Sequence, residues 1–371
     1  MKINRKTYQF FFFCISIFLF LLSSNLTAQT TSGGKLSGLV FGDYFYKLSG
    51  DSSNFTGEFA PYPKTYQAFT FRRIYLTYNH VINEKFSAQF QLESSEKIIT
   101  STRYGVFIKT AFLEWANIFK GSNLQIGLVP TATWALNEKF WNYRPIEKTL
   151  IDFRGLGGAS DMGITLKGNF EKEGNYGYTA MIGNGNGQKP EFNKLKKYYA
   201  SLFAKPVKGL TIEAYSDFEP FGDVPNVTDT TLSVKRNKMT LRGFAGYQTE
   251  RLAVGGEFVQ QTQKNFGAGN TDVVPMGFSF YVWGNILKGN TKTGENMLNA
   301  FARFDMYDPN TKIDSVGFKE NFLTAGLDYM PFKDVHFMPN VWFNSYTDKS
   351  SANIEKKADV VVRMTFFYVY K

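Results

Sequence analysis

Hydrophobic and polar residues alternate along most of this chain, which is the pattern of β-strands whose two faces meet different surroundings. In the last segment, ADVVVRMTFFYVYK, every second residue from Val360 to Tyr370 is apolar or aromatic, whereas Asp359 and Arg363 belong to the other set. A soluble sheet buries the apolar face, and a membrane barrel turns that face toward lipid. One strand does not distinguish the two folds.

Similar alternation recurs from end to end and predicts sixteen strands, many of them near the roughly 9–11 residues that a tilted strand needs to cross the hydrocarbon layer. The predicted strands are 35–46, 66–78, 86–93, 108–116, 124–130, 161–170, 176–183, 197–205, 210–217, 239–247, 252–260, 277–286, 297–306, 322–329, 335–346 and 359–370. The apolar sets contain many small residues, which lipid tolerates and a packed sandwich core does not favour. Arg72 and Lys109 fall in the lipid-facing sets, near strand ends from which long basic side chains reach water.

The connections alternate in length. Long ones include LSGDSSNFTGEFAPYPK, SSEKIITSTRYGV, residues 131–160, FEPFGDVPNVTDTTLSVKRN and TDKSSANIEKKA, and short ones include NHVINEK, EKEGN, KPVKG and PFKD. A membrane barrel has short periplasmic turns on one rim and longer external loops on the other. The sequence therefore predicts an all-β, transmembrane antiparallel barrel of about 16 strands with a long third external loop.

The N-terminus predicts a cleaved signal peptide over residues 1–28. Lys2, Arg5 and Lys6 precede an apolar run at 10–22 that is too short for a comfortable bilayer-spanning helix, and small residues lead to a cleavage point after Ala28. An uncleaved anchor helix is the alternative. Residues 29–371 then form the barrel domain, placed in the outer membrane of a Gram-negative bacterium. The only cysteine, Cys14, lies within the signal, which excludes a disulfide-stapled fold for the exported chain.

Composition narrows the expected partners. The net charge is modest for this length, and no clustered Lys/Arg run of the kind that tracks nucleic acid is present. The expected partner is outer-membrane lipid, and no cofactor, metal or nucleic acid is predicted.

Three other motifs do not predict a catalytic, phosphate-binding or calcium-binding site. His80 and His336 have no recognisable nucleophile beside them in the sequence, which argues against an enzyme. The glycine-rich stretches 155–158 and 183–187 do not have the strand–loop–helix context of a phosphate loop. Residues 308–320 offer four oxygen ligands, but Lys312 and Ile313 stand where a calcium loop requires a ligand and glycine, so an external loop is predicted.

Several segments together resemble the phosphate-selective porin O and P family. They are FTFRRIYLTYNHVINEKFSAQFQLE, IKTAFLEW, LQIGLVPTATW, SDMGITLKGNF, YTAMIGNGNG, NAFARFDMYDPN and TAGLDYMPFKDVHFMPNVWF, which span nearly the whole exported chain. The resemblance implies a sixteen-stranded homotrimeric porin for small anionic solutes, with the third external loop folded into the lumen.

The charges assigned to the inner wall depart from that family, whose phosphate-selective members have a ladder of arginines. Predicted wall cations are Arg73, Lys167, Lys197, Arg242, Arg303 and Arg363. Predicted wall carboxylates are Asp43, Glu93, Glu114, Asp161, Glu213, Asp217, Glu257, Asp305, Asp328 and Asp359. The barrel fold can hold while the phosphate preference does not.

Residues 131–160 form the longest predicted connection and contain Trp134, Phe140, Trp141, Tyr143 and Phe153. A merely solvated loop does not need these rings, so the loop is a candidate to pack against the inner wall; packing on neighbouring loops or on another protomer is the alternative. Its candidate constriction residues are Lys139, Arg144, Lys148 and Arg154 with Glu147 and Asp152, and Glu138 adds a further carboxylate.

The predicted function is a water-filled channel for passive diffusion of small hydrophilic solutes and ions. Selectivity is expected to be weak and to lean toward anions if the loop folds inward, because charges at a constriction lie within a Debye length of every passing ion. The alternative is a non-porin outer-membrane barrel, either a transporter of hydrophobic substrates or a structural protein. Such a transporter usually has an N-terminal plug, for which few residues are present before the first strand.

Overall fold

A computed structural model of the chain describes residues 33–52, 59–100, 103–290, 293–350 and 352–371, so the predicted signal peptide lies outside the described residues. Sixteen antiparallel strands close into one barrel, which confirms the predicted fold class. The strands are β1 (Gly33–Ser49), β2 (Gln67–Val81), β3 (Phe86–Thr100), β4 (Arg103–Phe119), β5 (Ser122–Pro130), β6 (Ser160–Asn169), β7 (Tyr176–Gly183), β8 (Lys197–Ala204), β9 (Leu210–Pro225), β10 (Ser233–Gln248), β11 (Leu252–Lys264), β12 (Met276–Leu287), β13 (Met297–Asp308), β14 (Phe318–Phe332), β15 (Val335–Asp348) and β16 (Asp359–Tyr370). The helices are α1 (Ala135–Trp141) and α2 (Leu150–Phe153), and Ala268–Asn270 form a single 3₁₀ turn.

Each strand pairs with its neighbours in sequence, and β1 pairs with β16 to close the sheet. The aromatic end of β16 lies against the first half of β1, with Tyr370 opposite Gly38. A closed sheet leaves no row of unpaired backbone groups, which is the requirement for a sheet that stands in hydrocarbon.

Large apolar side chains cover the outer face of the barrel. On β12, Phe280 is 53% exposed while Ser279 and Tyr281 on either side are buried, and the same alternation holds around Leu323 on β14. A band of exposed apolar side chains on this scale is stable against lipid rather than against water. No helix among the described residues is long and apolar enough to cross a bilayer.

Two β-bulges correct the predicted orientation of Arg72 and Lys109. Arg72 is the extra residue where β2 shifts register against Phe41 and Gly42 of β1, and Lys109 is the extra residue in the β3–β4 ladder. A one-residue insertion turns a side chain to the opposite face of the sheet. Arg72 is therefore buried inside, with its Nε 3.4 Å from Asp43 Oδ2, and Lys109 Nζ lies 2.8 Å from Glu93 Oε2. The prediction that both residues face lipid was wrong.

The two rims differ in loop length less regularly than predicted. Much of SSEKIITSTRYGV belongs to β3 and β4, and β9 and β10 leave only residues 226–232 as a loop. Residues 288–296, on the rim of short turns, form a longer connection than that loop. We call the opposite rim, at which β1, β5 and β15 end, the long-loop rim.

Candidate pore constriction

The connection between β5 and β6, residues 131–159, lies inside the barrel. Its backbone and side chains bond to residues that point inward from distant strands. Tyr281 on β12 donates to Asn137 Oδ1 at 2.7 Å, and Trp342 on β15 donates from Nε1 to Glu147 Oε2 at 3.0 Å. The Leu150 N–H donates to Glu257 Oε2 on β11 at 3.0 Å. We call residues 131–159 the inner loop.

Apolar packing holds the inner loop against one side of the barrel, whose inner surface is aromatic there. The Tyr143 ring stacks on Phe301 with centroids 4.3 Å apart, and the Trp141 ring lies 5.3 Å from that of Tyr281. Trp141 and Ile146 have no exposed surface. The aromatic residues that the sequence singled out in this loop thus pack against the inner wall.

The local chain path brings Trp141 and Tyr143 to the same wall. Asn142 caps the C-terminus of helix α1. Its φ of 58° is left-handed, and its N–H donates to the Glu138 carbonyl. Asparagine adopts this conformation at lower cost than most residues because its side chain can bond to nearby backbone. The chain therefore turns directly after Trp141 and presents Tyr143 to Phe301.

Buried ion pairs lie beneath the inner loop and include several of the predicted wall charges. Arg242 contacts both Glu213 and Glu257 at 2.8 Å, and Arg303 pairs with Asp305 at 2.5 Å. All of these side chains are 3% exposed or less. The candidate wall residues Arg242, Glu257, Arg303, Asp305 and Arg363 therefore support the loop and do not line an accessible path.

Arginines from two strands that flank β1 bind the same loop carbonyl. Arg72 of β2 and Arg363 of β16 each donate to the Ile146 carbonyl at 3.1 Å. Both guanidinium groups also lie within 4.0 Å of Asp43 Oδ2 on β1. The inner loop is thus attached to the strands on both sides of the barrel seam.

Two of the six candidate constriction residues are buried against the wall. Arg154 Nη1 lies 2.7 Å from Glu320 Oε2, and its guanidinium stands over the Phe153 and Tyr307 rings. Glu147 is fully buried and accepts the Trp342 hydrogen bond. Neither residue lies on the accessible face of the loop.

Three of the other candidates form a network with Glu138 on that accessible face. Arg144 Nε lies 3.1 Å from Glu138 Oε2, and Arg144 Nη2 lies 3.5 Å from Asp152 Oδ2. Lys148 Nζ is 4.0 Å from Asp152 Oδ1, and Lys139 is exposed. The network contains two cations and two carboxylates, all at least partly accessible, and the exposed Lys139 adds a third cation to the loop.

Charged residues of β2, β3 and β4 stand opposite. Glu93 binds Arg73 Nε at 3.0 Å and Lys109 Nζ at 2.8 Å. Lys109 of the wall also interacts electrostatically with Glu138 of the inner loop. Burial raises the pKa of the Glu138 carboxyl above its ordinary 4.5, and Arg144 opposes that shift. The two charged faces form the candidate constriction.

Beyond the constriction the open part of the wall is polar. Lys167 on β6 has 43% of its side chain exposed, and its Nζ is 3.5 Å from Glu114 Oε2 on β4. Gln91 of β3 donates to Thr77 of β2 at 2.8 Å. Glu114 and Lys167 are thus the candidate wall residues that the structure leaves partly accessible, and Arg73 and Glu93 mark the edge of the buried region.

A second inward segment was missed by the sequence analysis. Phe59 and Ala60 are buried, and the Phe59 ring packs on Trp342 with centroids 5.5 Å apart. Lys47 Nζ donates to the Phe59 and Tyr62 carbonyls and lies 2.6 Å from Asp359 Oδ1. The available signal was Lys47 itself, a cation on the inward set of β1 with no predicted partner.

His336 and the segment 308–320, which the sequence analysis did not assign to a site, make structural contacts within the barrel. His336 Nδ1 lies 2.9 Å from Asp328 Oδ1, and Tyr143 donates to the other oxygen of Asp328 at 3.2 Å. In the segment 308–320, the Lys349 ammonium lies 2.6 Å from Asp308 Oδ1 and 3.5 Å from Asp314 Oδ1. Lysine therefore occupies the oxygen cluster that resembles a calcium loop in sequence.

Solved structures similar to this chain include outer-membrane channels. An outer membrane channel, DcaP of Acinetobacter baumannii, aligns with a TM-score of 0.63 and 11% identity over 94% of this chain and 100% of that one. An anion-selective porin from Comamonas acidovorans gives 0.61 and 12% over 91% and 100%. Salmonella typhi OmpF, solved in complex with daunomycin, gives 0.62 and 11% over 91% and 97%.

Neither a protein-family model nor a curated protein sequence matches the chain significantly. At these identities the structural likeness shows the fold. The resemblance to the phosphate-selective porin O and P family stays a prediction.

Proposed function

We propose that this protein is an outer-membrane porin that passes small hydrophilic solutes and ions by passive diffusion. The observation that carries the proposal is the inner loop, which stands in the lumen with charged side chains turned toward a polar wall. Sixteen strands enclose an interior wide enough for water, and the inner loop narrows it from one side. The similar solved channels support the same function.

Selectivity is proposed to be weak and to lean toward anions. The accessible loop face has Lys139, Arg144 and Lys148 against Glu138 and Asp152, and the facing wall adds two cations against Glu93. Field focusing is strongest where ions pass close to fixed charge. The sequence-based count of an acidic wall does not oppose this preference, because many of those carboxylates are paired beneath the loop.

Planar bilayer recordings test the proposal. Purified, folded protein is expected to insert in discrete conductance steps, and the reversal potential in a salt gradient is expected to show a small anion preference. Liposomes containing the protein are expected to swell in small sugars and to stop swelling above a size limit. A folded barrel that gives neither steps nor swelling would leave the non-porin alternative, a hydrophobic-substrate transporter or a structural protein.

Localisation and assembly follow from the same proposal. We place the chain in the outer membrane of a Gram-negative bacterium, with lipid against the exposed apolar band. The family resemblance suggests a homotrimer. Chemical cross-linking of intact membranes is expected to give a trimer band, and a monomer band alone would reject that assembly.

A further inference from the structure

We infer that the outer mouth of the lumen contains a capture site for an organic anion, built from Arg236 and Lys238 of β10 over the rings of Phe266 and Phe221. This inference rests on the proposed porin function and adds a subsite to it. The ligand class is a carboxylate or phosphate group joined to an apolar or ring-bearing body.

The strand register places both cations on the inner surface, at the long-loop rim. Arg242 and Thr240 point inward and are buried, so Lys238 and Arg236 follow on the same face toward the rim. Lys238 interacts electrostatically with Lys197 and Asp217, which are inward residues of β8 and β9. A solute that enters from the long-loop rim meets these two cations before it reaches the inner loop.

Aromatic rings hold the two cations together. The Arg236 guanidinium lies 3.8 Å from the centroid of Phe266, and Lys238 Nζ lies 5.0 Å from the same ring and 5.1 Å from that of Phe221. The Phe221 and Phe266 rings meet edge to face with centroids 5.0 Å apart. Because both cations share one ring, their charges are neighbours and repel each other.

The lack of a carboxylate in direct contact distinguishes this pair from the arginines buried deeper in the lumen, although Glu219 and Asp217 attract Lys238 from a greater distance. Arg73, Arg154, Arg242 and Arg303 each have a carboxylate oxygen within 4.0 Å. Among the described residues, no carboxylate oxygen lies within that distance of Arg236 or Lys238, although Glu219 is the register partner of Lys238. The Glu219 carboxylate instead binds Lys197 Nζ at 3.2 Å.

The geometry suits an anion rather than a structural ion pair. The buried Nε of Arg236 has no hydrogen-bond acceptor among the described protein atoms. A guanidinium that stacks on a ring still donates from its N–H groups in its own plane. It can therefore form two hydrogen bonds to a carboxylate or phosphate. An anion between the two cations would relieve their repulsion.

The surroundings offer a surface for the body of such a ligand. A cleft of about 590 Å³ is lined by Phe221, the ring beneath Lys238. Phe192 and Pro220 supply further apolar surface to this cleft. Its charged lining is balanced, with Lys194 and Lys196 against Glu219 and Asp223. Apolar walls with a few polar groups are typical of small-molecule sites.

Binding and conduction are measured separately to test the site. Benzoate and inorganic phosphate are titrated into detergent-folded protein by calorimetry, and benzoate is added to either side of a bilayer that contains the channel. We expect benzoate to bind, and to interrupt the current more strongly from the long-loop side. The double variant R236Q/K238Q is expected to weaken binding about tenfold or more, since hydrogen bonds to charged groups are lost.

Matched variants separate the site from general surface charge. K235Q removes an exposed cation from the same strand and is expected to bind like the parent protein. F266L removes the ring beneath the two cations but keeps both charges. It is expected to weaken the binding of benzoate more than the binding of phosphate. Heat-modifiable electrophoretic migration checks that each variant is folded.

Equal binding by R236Q/K238Q, K235Q and the parent protein would overturn the site, as would a parent protein that binds neither probe. If the parent protein binds the probe, R236Q/K238Q does not, and neither protein forms a channel, the result would support the site and reject the porin proposal.

Discussion

Arg154 of the inner loop and Glu320 of β14 form an ion pair with 2.7 Å between Nη1 and Oε2, and both side chains are 3% exposed or less. Asn344 donates to the same Glu320 oxygen at 2.8 Å, so the carboxylate connects the loop to two strands. The sequence suggested Arg154 as a charge for passing ions. Its position makes it an anchor of the loop.

Replacing Arg154 with Ala should therefore destabilise the protein by about 3–5 kcal/mol, because the buried Glu320 carboxylate loses its arginine. Urea unfolding of the detergent-folded barrel measures this. Arg144→Ala is the control; it removes a partly exposed pair and should cost about 0–1 kcal/mol. Similar costs for the two variants would contradict the anchoring role.

Reversing the charge of Arg144 should change ion selectivity more than reversing that of Lys167. Arg144 stands on the loop face at the constriction, whereas Lys167 lies on the open wall with 43% of its side chain exposed. The reversal potential of Arg144→Glu is expected to move toward cations, and that of Lys167→Glu to move less. Equal shifts would mean that the loop does not set the narrowest point.

The selectivity should also depend on pH through Glu138. Desolvation raises the pKa of this carboxyl above 4.5, although Arg144 and Lys109 oppose the shift. Lowering the pH through that raised value neutralises Glu138, so the constriction gains net positive charge and the anion preference increases. Reversal potentials on both sides of pH 4.5 measure the change, and Glu138→Gln should remove its part of it. A variant that keeps the full pH dependence would assign the titration to another group.

A valine at position 246 should loosen the inner loop. Gly246 faces inward on β10, and a Cβ there would lie 2.6 Å from Phe140 Cδ1 of α1. Displacing Phe140 should cost about 1–3 kcal/mol, as overpacking usually does. Gly243→Val on the same strand is the matched control, since a Cβ there meets nothing within 4 Å. Protease sensitivity of the loop should increase in the first variant only.

Cysteine labelling tests the orientation of the barrel in the membrane. Ser52, Thr230 and Ser350 belong to the long-loop rim, which we expect to face the cell exterior. Glu84, Lys172 and Lys333 belong to the short turns. A membrane-impermeant thiol reagent on intact cells should modify cysteines at the first three positions only. Modification at Lys172 but not at Ser52 would invert the topology.

Strand positions were predictable because a two-sided environment leaves a period of two in the sequence. The predicted segment 359–370 and β16 coincide, and the faces of Val360 and Arg363 are as expected. Arg72 and Lys109 were misassigned because a bulge adds one residue without changing composition, so every residue beyond it keeps a plausible pattern.

The aromatic residues of the inner loop predicted that the loop packs inside the barrel. They did not predict which of its charged residues lie against the wall. Arg144 and Arg154 look alike in sequence, and only the position of Glu320 across the lumen decides which one is buried. Contacts between residues so distant in the chain leave no local periodicity. The same holds for Lys47 and the carbonyls that it binds.

Arg72 and Arg363 both donate to the Ile146 carbonyl, and they belong to the two strands that flank β1. The first and last strands of the barrel become neighbours only when the ring is closed, so these two donors meet only in the closed barrel. The Ile146 carbonyl therefore holds the two ends of the sheet to each other, and a variant that displaces the inner loop is expected to weaken the seam as well.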